Sequence, residues 1–256
     1  MYEVESLSAF KTQEECNSVV HKITTNTLNQ AMIIHSNKII NSDSVVLYHG
    51  ATNSNLIPTF GKGKLDCDYG QGFYLTDDKE LAKEWSYAGF TAGNEHYVYS
   101  YSLNLKNLNI LNLCKYDTLH WLAELYSYRK INYVTADQEN DVKEFIRKYK
   151  LDTEDVDIII GWRADDSYFN FASDFANNVL TKEKLDEALR LGNLGLQVFV
   201  KSEKAFSRLQ YLNKEAVPTK YQAFRQQRDS KSKKLYFDIK KSKSRDKYYI
   251  RDFIGR

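Results

Sequence analysis

The stretch Gly70-Gln71-Gly72-Phe73-Tyr74-Leu75-Thr76-Asp77 is the most specific pattern in this 256-residue sequence. Two glycines precede an aromatic pair, and two residues able to cap a helix, Thr76 and Asp77, close the segment. This order predicts a glycine turn, then a short strand, then a helix over Lys79 to Tyr87 with Trp85 on its apolar side.

Two further segments are predicted as strands that lie next to glycine-containing loops. The run Ser44 to His49 is predicted as a short buried strand that stops at Gly50, and Leu196 to Val200, which contains Gln197, as another. Strands are also predicted over Tyr97 to Leu105 and Asp157 to Gly161. Helices are predicted over 117–129, 137–149, 167–179 and 181–190. Short strands separated by irregular loops and helices indicate the α+β class.

The composition is typical of an ordered globular protein. Hydrophobic residues make up 42% of the chain and aromatic residues 14%, with only 2 prolines. The longest apolar runs are far too short to span a bilayer, and the first residues show no secretory signal. The three cysteines form no CxxC pair, and His120 with Glu124 is too small a set to bind a metal, so we expect a cytoplasmic protein without a metal site.

Charge is unevenly distributed and suggests three regions: a helical N-terminal extension over 1–44, a main domain over 45–213 and a basic extension over 214–256. The last region carries 14 Lys and Arg against 5 Asp and Glu, whereas the rest carries 22 against 29. Its basic residues alternate with aromatic ones, which suits single-stranded nucleic acid. The alternative is a solvated extension whose aromatic side chains pack on the acidic body.

Taken together and in this order, the three segments around His49, Tyr74 and Gln197 resemble the motifs of the ADP-ribosyltransferase superfamily. The likeness is to its histidine–tyrosine–glutamate branch, which includes diphtheria-type toxins and poly-ADP-ribose polymerases, and within it to a bacterial family. Gly161 to Phe169 and Leu191 to Gly195 resemble further signatures of that family. The resemblance covers about Val45 to Leu209. It implies a split antiparallel β-sheet ADP-ribosyltransferase fold with helical insertions.

The resemblance also implies that NAD is the substrate and that His49, Tyr74 and Gln197 are the catalytic residues. Gly50 would bond the nicotinamide carboxamide, Tyr74 would stack on the ring, and His49 would donate to a ribose hydroxyl. Residues implied in NAD binding are Tyr48, His49, Gly50, Gly72, Tyr74, Trp85, Arg163 and Asp165.

Several of these residues have a structural alternative. Trp85 suits the core side of its helix, and Arg163 suits a surface salt bridge as well as the NAD diphosphate. Asp165 and Asp166 are candidates for a general base, but either can instead cap the following helix.

Gln197 departs from the pattern of the active members, which have a glutamate there. A glutamine accepts the same hydrogen bond but cannot act as a general base. We therefore expect either a transferase acting on a protein or nucleic-acid acceptor, or an NAD- or ADP-ribose-binding pseudoenzyme. A nucleic-acid-binding protein that does not use NAD is a third alternative. The resemblance makes a bacterial toxin or phage-defence effector, held by a small antitoxin protein, the biological expectation.

Overall fold

The computed structural model describes residues 28–89, 93–164, 166–243 and 248–255. It contains two β-sheets and nine α-helices in these residues, which confirms the α+β class. The expected N-terminal extension is described only from residue 28, and residues 28–40 form helix α1.

The first sheet has three antiparallel strands in the order β1-β3-β7. These are β1 (Ser44–Ala51), β3 (Tyr97–Asn104) and β7 (Leu209–Ala216). The predictions of β1 and β3 are confirmed. Strand β7 was not predicted, and it extends three residues past the boundary that the charge pattern suggested at residue 213.

The second sheet has four strands in the order β2-β6-β5-β4. These are β2 (Phe73–Leu75), β4 (Ile110–Asn112), β5 (Ile158–Trp162) and β6 (Leu196–Val200). Neighbouring strands are antiparallel except β4 and β5, which are parallel. The two sheets meet at one bridge, in which Tyr48 and Thr76 exchange backbone hydrogen bonds of 2.7 and 3.0 Å.

Eight further helices surround the sheets. They are α2 (Lys79–Trp85), α3 (Thr118–Tyr128), α4 (Ala136–Tyr149), α5 (Asp166–Ala176), α6 (Lys182–Ala188), α7 (Glu203–Phe206), α8 (Lys220–Lys241) and α9 (Ile250–Ile254). The residue that caps α2 is Asp78, whose carboxylate accepts from the backbone N–H groups of Glu80 and Leu81. The prediction of Thr76 or Asp77 as the cap was therefore wrong by one or two positions. Thr76 instead belongs to the bridge between the sheets.

The four-stranded sheet is buried on both faces. Ile158 and Ile160 of β5 pack into a cluster shared with the three-stranded sheet, whereas Ile159 packs with the helices on the other side. Phe145 of α4 and Phe175 of α5, both fully buried, belong to the helical cluster. This double burial explains why the strand is a continuous apolar run rather than an alternating one.

The C-terminal region packs on the body through α8. Tyr236 stacks on Phe171 of α5 at 3.9 Å between ring centroids, and Arg228 pairs with Glu84 of α2 at 2.5 Å. Tyr221 is also buried and donates a hydrogen bond to the Glu80 carboxylate. Aromatic residues on the inner face of α8 therefore pack on the body, as one of the two alternatives for the basic extension expected. Within the described residues, none of the helices is both long and apolar enough to cross a membrane.

Candidate functional site

The site lies where β1 and β2 separate beyond the Tyr48–Thr76 bridge. Successive residues of a strand direct their backbone polar groups to opposite edges, so the N–H and C=O of Gly50 point to the same edge as those of Tyr48. Gly50 would next face Tyr74, but no backbone hydrogen bond joins these two described residues. The split leaves the Gly50 peptide groups directed at an open cleft, which Gly50 lines.

His49 bridges the split with its side chain. Its Nδ1 lies 2.7 Å from the carbonyl oxygen of Tyr74. A carbonyl only accepts, so Nδ1 carries the proton and Nε2 of the neutral ring is an acceptor. Burial lowers the pKa of His49 to about 4 despite this hydrogen bond, and the positive charge of Arg163 lowers it further. Near neutral pH Nε2 of the imidazole can therefore accept a hydrogen bond but not donate one. The resemblance, in contrast, implies that His49 donates to a ribose hydroxyl.

Tyr74 is held rigidly by its own hydroxyl. The hydroxyl donates to the Gly70 carbonyl at 2.6 Å and accepts from the Tyr69 backbone N–H at 3.0 Å. The ring packs against Phe199 at 4.7 Å between centroids. Burial raises the pKa of Tyr74 far above its usual range, so the phenol stays neutral. What Tyr74 offers to the cleft is therefore an aromatic surface rather than a proton.

Gln197 contributes an unsatisfied amide oxygen to the cleft. The side chain is 5% exposed, and its Oε1 is buried with no hydrogen-bond partner among the described residues. It lines the cleft and lies opposite Gly161 in the β5–β6 register. A buried amide oxygen without a partner is unfavourable, and a ligand hydroxyl or N–H would satisfy it.

Trp85 and Arg163 line the cleft and contact each other. The Arg163 guanidinium lies 3.7 Å from the centre of the Trp85 ring, which is a close cation–π contact. Trp85 is 6% exposed, and its Nε1 has no hydrogen-bond partner in the described part of the chain. The stack fixes the guanidinium beside the cleft, and the core position expected for Trp85 is compatible with lining it.

The cleft has a volume of about 330 Å³. Its polar walls include side chains that the sequence analysis did not assign, namely Lys64, Cys67, Asp68 and Arg129. Asp68 is buried, accepts from the Ala164 N–H at 2.9 Å and lies 3.5 Å from Arg129 Nη1. It therefore ties the turn after β5 to the end of α3. Burial and nearby carboxylates raise the pKa of the Cys67 thiol, so Cys67 is not an activated nucleophile.

The family comparison covers this whole site. Residues 45–211 match the model of a family described as a protein of unknown function, DUF3990. The chain belongs to the DUF3990 family. Neither the curated proteins nor the solved structures give a significant match. The match extends from β1 into β7, so every cleft residue named above lies in the DUF3990 region, whereas α1, α8 and α9 lie outside it.

The other predicted site residues of this DUF3990 protein are not among those that line the cleft. Tyr48 and Gly72 do not line the cleft. A Cβ at Gly72 would overlap the Phe199 ring and lie 2.5 Å from the Val200 carbonyl oxygen, so Gly72 is needed for the packing of β2 on β6. Asp165 lies outside the described residues, and Asp166 begins α5. Among the described residues, no cluster of metal ligands is present.

A second cavity of about 190 Å³ adjoins the cleft, because Arg163 lines both. Its walls come from α1, the end of β5 and the loop after α6. Met32, Trp162 and Leu194 supply apolar surface, and Asn29 and Asn193 supply amides. Trp162 and Leu194 lie in segments that resemble further family signatures, but the cavity itself was not predicted, because its walls are distant in the chain.

Proposed function

We propose that this DUF3990 protein is an ADP-ribosyltransferase that takes NAD as its substrate and modifies a macromolecular acceptor. The observation that carries the proposal is the juxtaposition of the open Gly50 peptide edge, the Tyr74 ring and the unsatisfied Gln197 amide around one cleft. A flat ring with a carboxamide, attached to a sugar with free hydroxyls, would pair with the Gly50 peptide, stack on the Tyr74 ring and bond the Gln197 amide. The motif resemblance supports the same substrate independently of the geometry.

Each group has a role in this proposal. The Gly50 N–H and C=O bond the nicotinamide carboxamide, and the Tyr74 ring covers the cationic nicotinamide. Gln197 Oε1 accepts from a ribose hydroxyl. Arg163 contacts the diphosphate, which would place the adenosine half toward the second cavity and nicotinamide in the first. NAD has an aromatic ring at each end and a diphosphate between them, which matches two cavities that share Arg163.

The reaction breaks the bond between ribose C1′ and the nicotinamide nitrogen. Nicotinamide leaves with the bonding electrons and becomes neutral, and positive charge develops on the ribose. An acceptor nucleophile then bonds C1′ and releases a proton. Gln197 cannot take that proton, and neither can the protonated Cys67. The proposal therefore requires an acceptor that is already nucleophilic or a base supplied by the acceptor or by Asp165 or Asp166.

Calorimetry with NAD tests binding directly. Tyr74→Ala removes the aromatic surface and should abolish measurable binding. Tyr74→Phe is the matched control, since it keeps the ring and loses only the hydroxyl that bonds Gly70 and Tyr69. We expect Tyr74→Phe to retain NAD binding with lower thermal stability. A wild-type protein that does not bind NAD contradicts the proposal and leaves only functions without NAD.

Incubation with labelled NAD and a cell lysate tests transfer. Wild-type protein should label protein or nucleic acid, and Gln197→Glu should increase labelling because a carboxylate can polarise the acceptor. Gln210→Glu, an exposed substitution on β7, is the charge-matched control. If wild type binds NAD without labelling anything and Gln197→Glu creates activity, the binding-module alternative is correct. Growth arrest on induced expression in bacteria, lost in Tyr74→Ala, would support the toxin role and the search for a small neutralising partner.

A further inference from the structure

Helix α8 has an outer face that the NAD chemistry does not use. Residues 231–243 contain six lysines against one acidic residue, Asp238, and all six lysines are exposed. Lys240 pairs with Asp174 at 2.7 Å. The other five form no ion pair with any described residue: Lys231, Lys233, Lys234 and Lys241 of α8, and Lys243 two residues after its end. We call these five side chains the α8 basic face.

Exposed aromatic side chains accompany these lysines. Phe237 is 61% exposed although its neighbour Tyr236 is buried, and Phe224 is 46% exposed. The two phenylalanines are 13 residues apart and do not share one side of the helix, so they do not form the continuous apolar face of a membrane-surface helix. Separated aromatic rings among lysines are suited to unpaired bases on a phosphate backbone.

The location of α8 connects this face to the cleft. Arg228 of α8 pairs with Glu84, which precedes the cleft residue Trp85, and Tyr236 stacks on Phe171 of the helix that follows Arg163. The helix therefore contacts residues beside both Trp85 and Arg163, which line the cleft. A ligand on its outer side would lie about one helix diameter, roughly 10–12 Å, from those segments.

We infer that the α8 basic face is a docking surface for single-stranded nucleic acid. The binding itself is independent of NAD; only the further step, that the docked strand is the acceptor, rests on the proposed function. Five lysines over about 15–18 Å neutralise several consecutive phosphates. The acidic remainder of the chain, with 22 Lys and Arg against 29 Asp and Glu before residue 214, would otherwise repel a polyanion.

Fluorescence anisotropy with fluorescein-labelled 20-nucleotide oligo(U) and oligo(dT) tests the inference with the full chain and no NAD. If each of the five lysines neutralises one phosphate, the log–log dependence of affinity on salt should have a slope of about −3.5. The surface variant replaces all five lysines by glutamine and should bind more than tenfold more weakly, with a flatter slope. The control variant changes net charge equally at exposed lysines elsewhere, namely Lys38, Lys106, Lys115, Lys130 and Lys143.

A second variant tests the aromatic contribution and guards against a folding defect. Phe237→Ser should weaken oligo(U) binding by about tenfold while the salt slope stays unchanged, since stacking involves no counterion release. Circular dichroism checks that each variant is folded, and calorimetry with NAD checks the cleft separately. The inference is overturned if wild type binds neither oligonucleotide, if the control variant loses as much affinity as the surface variant, if Phe237→Ser binds as wild type does, or if anionic vesicles bind and oligonucleotides do not.

Discussion

At the scale of single residues, His49 shows how strongly the surroundings of a side chain determine its protonation. Burial at the cleft makes a second proton on the ring costly, so the imidazole stays neutral. Its one proton lies on Nδ1, which donates to the Tyr74 carbonyl. Gly50 has a comparable double role. Its peptide edge is open to the cleft, while its missing side chain allows α2 to approach.

Glu124 is a buried residue with no part in the cleft. It is fully buried on α3, and the charges of Lys150 and Lys201 and the Leu151 backbone only partly offset the effect of that burial on its carboxylate. Burial raises the pKa of Glu124 to about 7. The unfolded chain ionises near the ordinary value of 4.5, so between these two pH values the folded protein binds the extra proton. Stability should therefore fall as pH rises from about 4.5 to 7.

The substitution Glu124→Gln removes this pH dependence. At pH 8 it should raise the free energy of unfolding by roughly 3 kcal/mol, whereas at pH 4 it should have little effect. Urea denaturation at both pH values measures the difference. Glu154→Gln, at an exposed position, is the control and should change neither value appreciably. An equal effect of Glu124→Gln at pH 4 and pH 8 would show that the ionisation of this group is not responsible.

At the scale of secondary-structure elements, the packing of α2 on β1 depends on Gly50. A Cβ there would overlap the Ala82 carbonyl oxygen and lie 2.5 Å from the Ser86 backbone nitrogen. Both atoms belong to the backbone of the helix region and cannot rotate away. The close approach is what brings Trp85 to the cleft, so one glycine couples the strand to the aromatic wall.

Gly50→Ala should displace α2. We expect a loss of about 1–3 kcal/mol in unfolding free energy, the usual cost of overpacking. Under the proposed function, NAD affinity should fall with it, because Trp85 and Arg163 move. Thermal denaturation and calorimetry measure the two effects, and Thr52→Ala at a neighbouring exposed position serves as the control. Normal stability in Gly50→Ala would mean that the helix has more freedom than this packing allows.

The elements that the sequence predicted share one property, namely burial with regular spacing. Strands β1, β3, β5 and β6 and helices α3 and α4 were predicted because their apolar residues form runs or repeat at a helical or strand period. Strand β7 was missed because it is an edge strand with mostly exposed side chains. Helix α8 as a whole was not predicted, because only four of its 22 residues are buried and no apolar stripe marks it.

The candidate site was predictable to a similar extent, for a different reason. His49, Tyr74, Trp85, Arg163 and Gln197 were found through motifs, and they line one cleft. Arg129 lies at the end of α3, and no motif around it in the sequence indicates a place in the site. It reaches Asp68 only because the chain folds back over 61 residues. A contact between side chains that are distant in the chain leaves no local pattern in the sequence from which it could be predicted.

At the scale of the whole molecule, α8 couples the basic C-terminal region to the cleft wall. Arg228 and Glu84 are both largely buried, and burial raises the pKa of Glu84 even though Arg228 and Arg225 lower it. Breaking such a pair leaves a buried charge without its partner, which costs more than replacing both residues. The C-terminal region is thus an integral part of the fold.

A double-mutant cycle measures this coupling. Arg228→Met alone should destabilise the protein by about 3 kcal/mol, and combining it with Glu84→Gln should recover part of that loss. Lys231→Met, an exposed substitution on the same helix, is the control for removing a positive charge. Additive effects of Arg228→Met and Glu84→Gln would indicate that the pair does not hold α8 to α2.

The position of Cys67 makes the cleft accessible to site-directed labelling. Cys67 lines the cleft and is partly exposed, whereas Cys114 is 3% exposed and burial raises its pKa to about 12. With Cys16 replaced by serine, a maleimide fluorophore should attach at Cys67 selectively, and more rapidly at mildly alkaline pH because the Cys67 pKa is also raised. An environment-sensitive dye there would report, in real time and without any turnover, when a small molecule enters or leaves the space between the two sheets.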